Sequence, residues 1–432
     1  MHSQSRLAQM AERIITNPGT RLRASVQVPG DKSLSHRALL FAAIAEGDSY
    51  ISGLGPGDDV HSTIEALDQF GVIVDGEKIR SPGIAHWRVP TEPIDCGNSA
   101  TAMRLLAGVL STSPVKATLV GDSSLSARPM HRLVEPLTEL GGNIDTSPEG
   151  TPPLKVGGAT GAQGNSVTID VASAQVRSAF ELAALNASGP SMIDSPPGFR
   201  DHTERWLIAA GRGEWASATA FTVLPGKIVP ARYEVPGDPS SAAYLWALAA
   251  IQPGGEVLTP TVSLNAGRLG FLQILEEMGA EVEALVTGEV GGDPVGDVKV
   301  TGRTLSAVDV AGDLVASALD EIPLVAVVGA YAQGITRVSD AAELRVKESD
   351  RIASTAAMIR ALGGGIDLRR DGFEVVGTGF LEGGVVETAH DHRIAMSAAI
   401  AAMRADGPVT IRDAEIASVS WPGFYETLEA MW

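Results

Sequence analysis

The chain has 432 residues, 44% of them apolar and 20% charged, which is too long for one ordinary core and too apolar for a disordered protein, so two large domains are expected. Its formal charge of −19 argues against a nucleic-acid surface, yet a local cluster of cations can still set the potential of a cleft for a small anion. The single cysteine, Cys96, excludes an internal disulfide, and no apolar run reaches the ~18 residues that a membrane span needs.

The first nineteen residues, MHSQSRLAQMAERIITNPG, lack the apolar centre of a signal peptide and read as a short polar helix or a loose tail. With a lone cysteine, this fits a cytoplasmic protein. The stretch Val28–Gly47, VPGDKSLSHRALLFAAIAEG, follows. A short loop leads into an apolar helix, so backbone N–H groups can face an anion there. Lys32 and Ser33 stand at its start, and Arg37 lies one turn on, able to share a face with Ser33. No glycine lies five residues before Gly30, so this is not a phosphate-binding P-loop. A solvated helix start explains the stretch equally well when it is taken alone.

Asp95–Arg104, DCGNSATAMR, opens a second helix with small residues that permit close approach to the backbone. Asn98 or Ser99 as an ordinary cap is the plainer alternative, and Cys96 reads as a packed small residue. Gly121–Met130, GDSSLSARPM, puts Arg128 on extended backbone before a proline. Ala172–Ser178, ASAQVRS, offers hydrogen bonds from Ser173 and Gln175, and Arg200 follows in FRDHTE.

The second half repeats the scaffold of the first stretch. Val235–Gly254, VPGDPSSAAYLWALAAIQPG, begins as Val28–Gly47 does, but carries small or apolar residues where Lys32, His36 and Arg37 stood. Asp320-Glu321-Ile-Pro-Leu comes next, then Ala342–Arg351, AELRVKESDR, which alternates acid and base. A solvated helix with i,i+4 pairs is one reading, although it sets Lys347 against the like-charged Arg351, a penalty that an anion between them would remove. In Ala389–Ser397, AHDHRIAMS, the two histidines lack a metal-binding pattern, and Arg393 at a helix start is the better anion ligand. No metal and no cofactor are expected.

Helix-like segments that end in an apolar residue and a glycine recur at Gly71, Gly141, Gly211, Gly279 and Gly363, with Trp432 at the equivalent last place. The separations are 70, 70, 68, 84 and 69 residues. Each junction reads as a helix stopped by a left-handed glycine before a strand. A period near 70 is too long for a solenoid and suits a small α/β unit repeated three times in each of two domains. The two VPGD stretches, 207 residues apart, are then the places where the chain crosses between domains.

Taken together, PGDKSLSHR, GNSATAMR, SARPM, SAQVRSA, RDHTER, VPGDPSSAA, DEIPL, ELRVKESDRI and DHRIAMS resemble the 5-enolpyruvylshikimate-3-phosphate synthase (3-phosphoshikimate 1-carboxyvinyltransferase) family, in family order from residue 29 to 397. The resemblance implies an α/β, two-domain enolpyruvyl transferase fold, each domain three βαβαββ units around parallel helices. Its domains would be 29–235 and 236–432, with residues 1–28 a tail and strand joining the second, and hinge crossings near 28–31 and 235–238. It implies transfer of the enolpyruvyl group of phosphoenolpyruvate to the 5-hydroxyl of shikimate 3-phosphate, without nucleic acid or membrane and as a monomer. Lys32, Ser33, Arg37, Ser173, Ala174, Gln175, Arg200, Asp320 and Lys347 match shikimate 3-phosphate ligands. Lys32, Ala100, Arg128, Gln175, Arg351 and Arg393 match those of phosphoenolpyruvate. Asp320, Glu348 and Lys32 match catalytic positions, with Glu348 expected to be protonated by desolvation and the anions of nearby ligands.

The sequence departs from the family pattern twice. Ala100 stands where glycine is common, which resembles the glyphosate-tolerant subgroup, and Val419 stands where many members have a lysine. The loop before Ala127-Arg128-Pro129 has no cysteine, unlike the sister transferase that acts on UDP-N-acetylglucosamine.

Overall fold

A computed structural model describes residues 12–19 and 21–432. Its strands form six small sheets, five of four strands and one of three. One unit shows the pattern. Ile94–Asp95 lies parallel to Ala117–Val120, joined to it by the helix Ala100–Ser111, and the hairpin Ile144–Asp145 and Leu154–Val156 completes the sheet antiparallel. The crossover helix is what lets the first two strands run parallel.

Three sheets borrow a strand from a distant part of the chain. Arg232–Glu234, which follows the third unit, returns to pair with Glu46–Ser52 of the first, Tyr233 opposite Ile51. Arg23–Ser25 pairs with Glu256–Ser263, Ala24 opposite Val257. In the last unit Arg13–Ile15 takes an antiparallel place beside Val409–Arg412. Within residues 1–19, read as a polar helix or tail, Arg13–Ile15 is a strand, because the edge of Val409–Arg412 offers main-chain partners that a loose tail would have to find in water. Residues 1–11 lie outside the described residues.

The apolar residues separate into two cores. One runs from Leu34 to Val235; the other takes Leu22, Val28 and residues from Ala242 to Leu428. Each is built round three apolar helices. Every residue of Pro239–Ile251, Ile322–Tyr331 and His392–Ala402 is buried. A helix that is apolar all round belongs at the centre of a layer, and these sequences carry no polar stripe that would place them elsewhere. In the first lobe the Ala100–Ser111 and Ala174–Ala184 helices meet at Gly108, where a Cβ would lie 2.6 Å from Ala179 Cα.

The glycine junctions mark the second helix of each unit. Gly71, Gly141, Gly211, Gly279 and Gly363 have φ of +88°, +76°, +66°, +102° and +76°. A side chain in that region is strained, which is why glycine ends each helix before its hairpin.

The two VPGD segments lie side by side. Gly30 and Gly237 form an antiparallel bridge. Asp31 N–H donates to the Pro236 carbonyl at 2.8 Å, and Asp238 N–H donates to the Pro29 carbonyl at 2.8 Å. Asp31 and Asp238 each cap the helix that follows, accepting from Leu34 N–H and Ser240 N–H.

Candidate active site

A cavity of about 370 Å³ opens between the lobes. Lys32, Ser33, Arg37, Ala100, Arg128, Ser173, Ala174, Gln175 and Arg200 line it from one side, and Asp320, Lys347, Glu348, Arg351 and Arg393 from the other. These are the positions singled out in the sequence, and none of them lies elsewhere. Several stand at helix starts: Lys32, Ala100 and Ala174 are the first residues of their helices, Asp320 precedes Ile322–Tyr331, and Arg393 is second in its own. Orphan N–H groups and the positive ends of these helices therefore add to the side-chain cations.

The two sides already touch across the cavity. Arg200 meets Asp320 at 2.8 Å, and Arg128 meets Glu348 at 3.5 Å. Asp320 is also approached by Arg351 at 3.2 Å and Lys347 at 3.7 Å. Arg351 holds Glu348 at 2.5 Å and Asp391 at 2.8 Å. Lys32 Nζ sits 2.9 Å from Asp59. Arg37 is fixed by Thr203 Oγ1 at 2.7 Å, Ser178 Oγ at 2.8 Å and the Ser33 carbonyl at 2.9 Å. Gln175 donates to Thr101 Oγ1 at 2.8 Å and accepts from Arg104. Arg128 Nε and Arg393 Nε are buried without a hydrogen-bond partner among the described residues. Unpaired buried donors of charged groups are costly, so these two are suited to an incoming anion.

A family model described as EPSP synthase (3-phosphoshikimate 1-carboxyvinyltransferase) matches residues 16–428. The chain belongs to the EPSP synthase family. It is 43% identical over 422 residues to the 3-phosphoshikimate 1-carboxyvinyltransferase of Halorhodospira halophila, covering 96% of this chain and 95% of the relative. It is 43% identical over 419 residues to that of Chloroflexus aurantiacus, covering 94% and 96%. The solved EPSP synthase of Acinetobacter baumannii superposes with a TM-score of 0.86 at 37% identity, over 97% of this chain and 98% of that one. The two-domain α/β fold with repeated small sheets is thus that of EPSP synthases.

One detail differs from what the sequence suggests. Lys347 and Arg351 do not share one helix: Ala342–Val346 is a 3-10 turn, Lys347 is extended, and the helix begins at Arg351 behind its cap Asp350. The two cations still converge, and the anion between them is the Asp320 carboxylate. Glu348, expected to be protonated with ligand anions beside it, is ionised without them. Burial pushes its carboxyl group up, but Arg351 and Arg128 outweigh burial and hold it well below the usual carboxylate range. Asp320 behaves likewise: burial opposes its charge, and Lys347, Arg200, Arg393 and Arg351 together hold it well down.

Other lining residues were not singled out in the sequence. Asp59 faces Lys32 from the first turn of Asp58–Gln69, where an acid is already favoured by the helix dipole and so gives no separate signal. Arg104 closes the quoted stretch DCGNSATAMR, and its reach to Gln175 and the Pro129 carbonyl is a tertiary fact. Burial, with Arg132 and Arg128 nearby, pushes Arg104 down to about 10. His392 lies between Lys32 and Arg393; burial foremost, and then those cations, keep it neutral. Cys96 is buried, which pushes its thiol up to about 12.

Proposed function

We propose that the chain transfers the enolpyruvyl group of phosphoenolpyruvate to the 5-hydroxyl of shikimate 3-phosphate, releasing inorganic phosphate. The observation that carries this reading is the cavity lining, where cations of one lobe face two carboxylates and further cations of the other. Two phosphates and two carboxylates repel one another in any complex of these substrates, and arginine forks suit both groups.

Ser33, Arg37, Ser173, Ala174, Gln175, Arg200 and Lys347 hold shikimate 3-phosphate. Lys32, Arg128, Gln175, Arg351 and Arg393 hold phosphoenolpyruvate, and Ala100 walls its pocket. When these cations turn to substrate anions, they loosen their hold on Asp320 and Glu348, and both carboxyl groups become more basic. Asp320 takes the proton of the 5-hydroxyl as its oxygen attacks C2 of the enol, while Glu348 delivers a proton to C3. The tetrahedral intermediate then loses phosphate, and one proton leaves the new methyl group to restore the double bond. One chain supplies both sides of the cavity, consistent with action as a monomer. Among the described residues no helix is long and apolar enough to cross a membrane, and Cys96 is too deeply buried to act as a nucleophile.

Mixing the protein with both substrates and following phosphate tests the reading. Phosphate should appear only when both are present, and Lys32→Met should stop it without changing the unfolding midpoint. Binding of both substrates with no phosphate released would leave a binding protein instead.

The finer reading concerns Ala100, which is buried at the first position of its helix and lines the cavity beside Lys32 and Arg128. Its methyl group shortens the space beside phosphoenolpyruvate, so glyphosate, slightly longer than the substrate, fits poorly. Ala100→Gly should make the enzyme markedly more sensitive to glyphosate; equal inhibition of the two proteins would remove the proposal.

A further inference from the structure

Where the chain crosses twice between lobes, two buried carboxylates stand close together, and one guanidinium bridges them. Arg268 Nη1 meets Asp31 Oδ2 at 3.0 Å; Nη2 meets Asp238 Oδ1 at 2.9 Å and Ser240 Oγ at 2.8 Å. The other oxygen of Asp238 accepts from Lys32 N–H at 3.0 Å. A side chain of the second lobe is therefore one hydrogen-bonded carboxylate away from the backbone that carries Lys32.

The same short turn reaches a second part of the site. Arg268 ends the 3-10 turn Ala266–Arg268, which Asn265 caps. Asn265 Nδ2 donates to Asp201 Oδ1 at 2.6 Å and to Asp293 Oδ1 at 2.5 Å. Gly267 lies against the loop of the first lobe: a Cβ there would stand 2.9 Å from the Phe199 carbonyl oxygen and 3.4 Å from Arg200 Cα. The turn Asn265–Arg268 thus reaches both the carboxylate that accepts from Lys32 N–H and the backbone that bears Arg200. None of Asn265, Gly267 and Arg268 lines the cavity. Their contacts lie outside the cavity, whereas the Arg200–Asp320 and Arg128–Glu348 pairs are made by lining groups proposed above to engage substrate.

We propose that Arg268 is a positioning residue for the transfer reaction, which sets Lys32, and with Asn265 also Arg200, at the reactive geometry from outside the cavity. The proposal rests on the roles assigned above to Lys32 and Arg200. Its geometry suits a fork: Nη1 stands against Asp31 and Nη2 against Asp238, two positions that the single nitrogen of a lysine cannot occupy at once.

Arg268→Lys keeps a positive charge beside Asp31 and Asp238 and so preserves the fold, but it bridges only one of them. Its kcat should fall by about tenfold or more, as misplacement by a fraction of an ångström costs in an oriented site. KM for each substrate should stay within about threefold, the split expected when ground-state binding is spared. Arg268→Gln, with no counter-charge, should lose more activity and unfold at a lower temperature. A kcat for Arg268→Lys within about twofold of wild type would overturn the proposal, whether or not Arg268→Gln folds, and so would a rise in KM at unchanged kcat. Lys32→Met assayed alongside separates the two layers: an active Lys32→Met removes the site assignment and this inference with it, while an inactive Lys32→Met with an unimpaired Arg268→Lys removes this inference alone.

Discussion

Glu348 sits 2.5 Å from Arg351 and 3.5 Å from Arg128, and both cations hold it ionised against burial. This has a consequence for proton traffic. Two substrate anions engaging those arginines weaken their hold on Glu348 and add negative potential, and both effects raise its pKa. A group that becomes more basic on binding takes up a proton, so affinity should weaken as pH rises. Calorimetry with shikimate 3-phosphate and an unreactive phosphoenolpyruvate analogue, in two buffers of different ionisation enthalpy, should show that the wild-type protein takes up more protons on binding than Glu348→Gln does. Equal proton exchange in the two proteins would take Glu348 out of the donor role. Lys32 and Arg37 were legible as candidate anion ligands because they stood out against a copy of the scaffold that lacked them, and Arg393 because it opens an apolar helix; Arg128 and Arg351 gained weight only with the family resemblance. The ionised state of Glu348 was not legible: it depends on which oxygen faces which arginine. Asp391 was equally hidden, since its hold on Arg351 at 2.8 Å and on Ser349 at 2.9 Å joins residues forty and more positions apart.

The helices carry the constraints of the next scale. Ala100–Ser111 and Ala174–Ala184 bring Ala100 and Ala174 to the same cavity only because they pack with Gly108 almost on the backbone of Ala179. Alanine is a better helix former than glycine by about 1 kcal/mol, so propensity alone favours Gly108→Ala. Here the added methyl group meets backbone, which cannot rotate aside, and overpacking of this kind costs about 1–3 kcal/mol. The second effect should win: urea unfolding of Gly108→Ala should show a net loss of stability, and a gain would mean that the helices part without cost. The recurring glycines announced five of the helix ends in the sequence because a left-handed residue is a local requirement. The strands that close the first, fourth and last sheets were not announced by any local pattern, and only the family resemblance implied a strand within residues 1–28. Residues 232–234, 23–25 and 13–15 find partners far along the chain, and no local pattern names the partner. The alternating charges of Ala342–Arg351 misled for the opposite reason: spacing suggested one helix, whereas Asp350 caps a new helix at Arg351.

For the whole molecule, the duplicated VPGD stretches explain how one site can draw on both lobes. They pair with one another where the chain crosses, and the helices that follow them start beside the cavity. Only the first carries Lys32 and Arg37; the second contributes Asp238, which accepts from Lys32 N–H. Pairs such as Arg200–Asp320 join the lobes, and their members are also groups proposed above to meet substrate. On that proposal, contact between the lobes and binding of substrate use the same charges. The most direct test is a crystal structure of Asp320→Asn grown with shikimate 3-phosphate and phosphoenolpyruvate. Both ligands should lie between the lobes, with phosphoenolpyruvate within hydrogen-bond distance of Lys32 and Arg128 on one side and Arg351 and Arg393 on the other. Two anions held entirely by one lobe, or bound away from this cavity, would contradict the account.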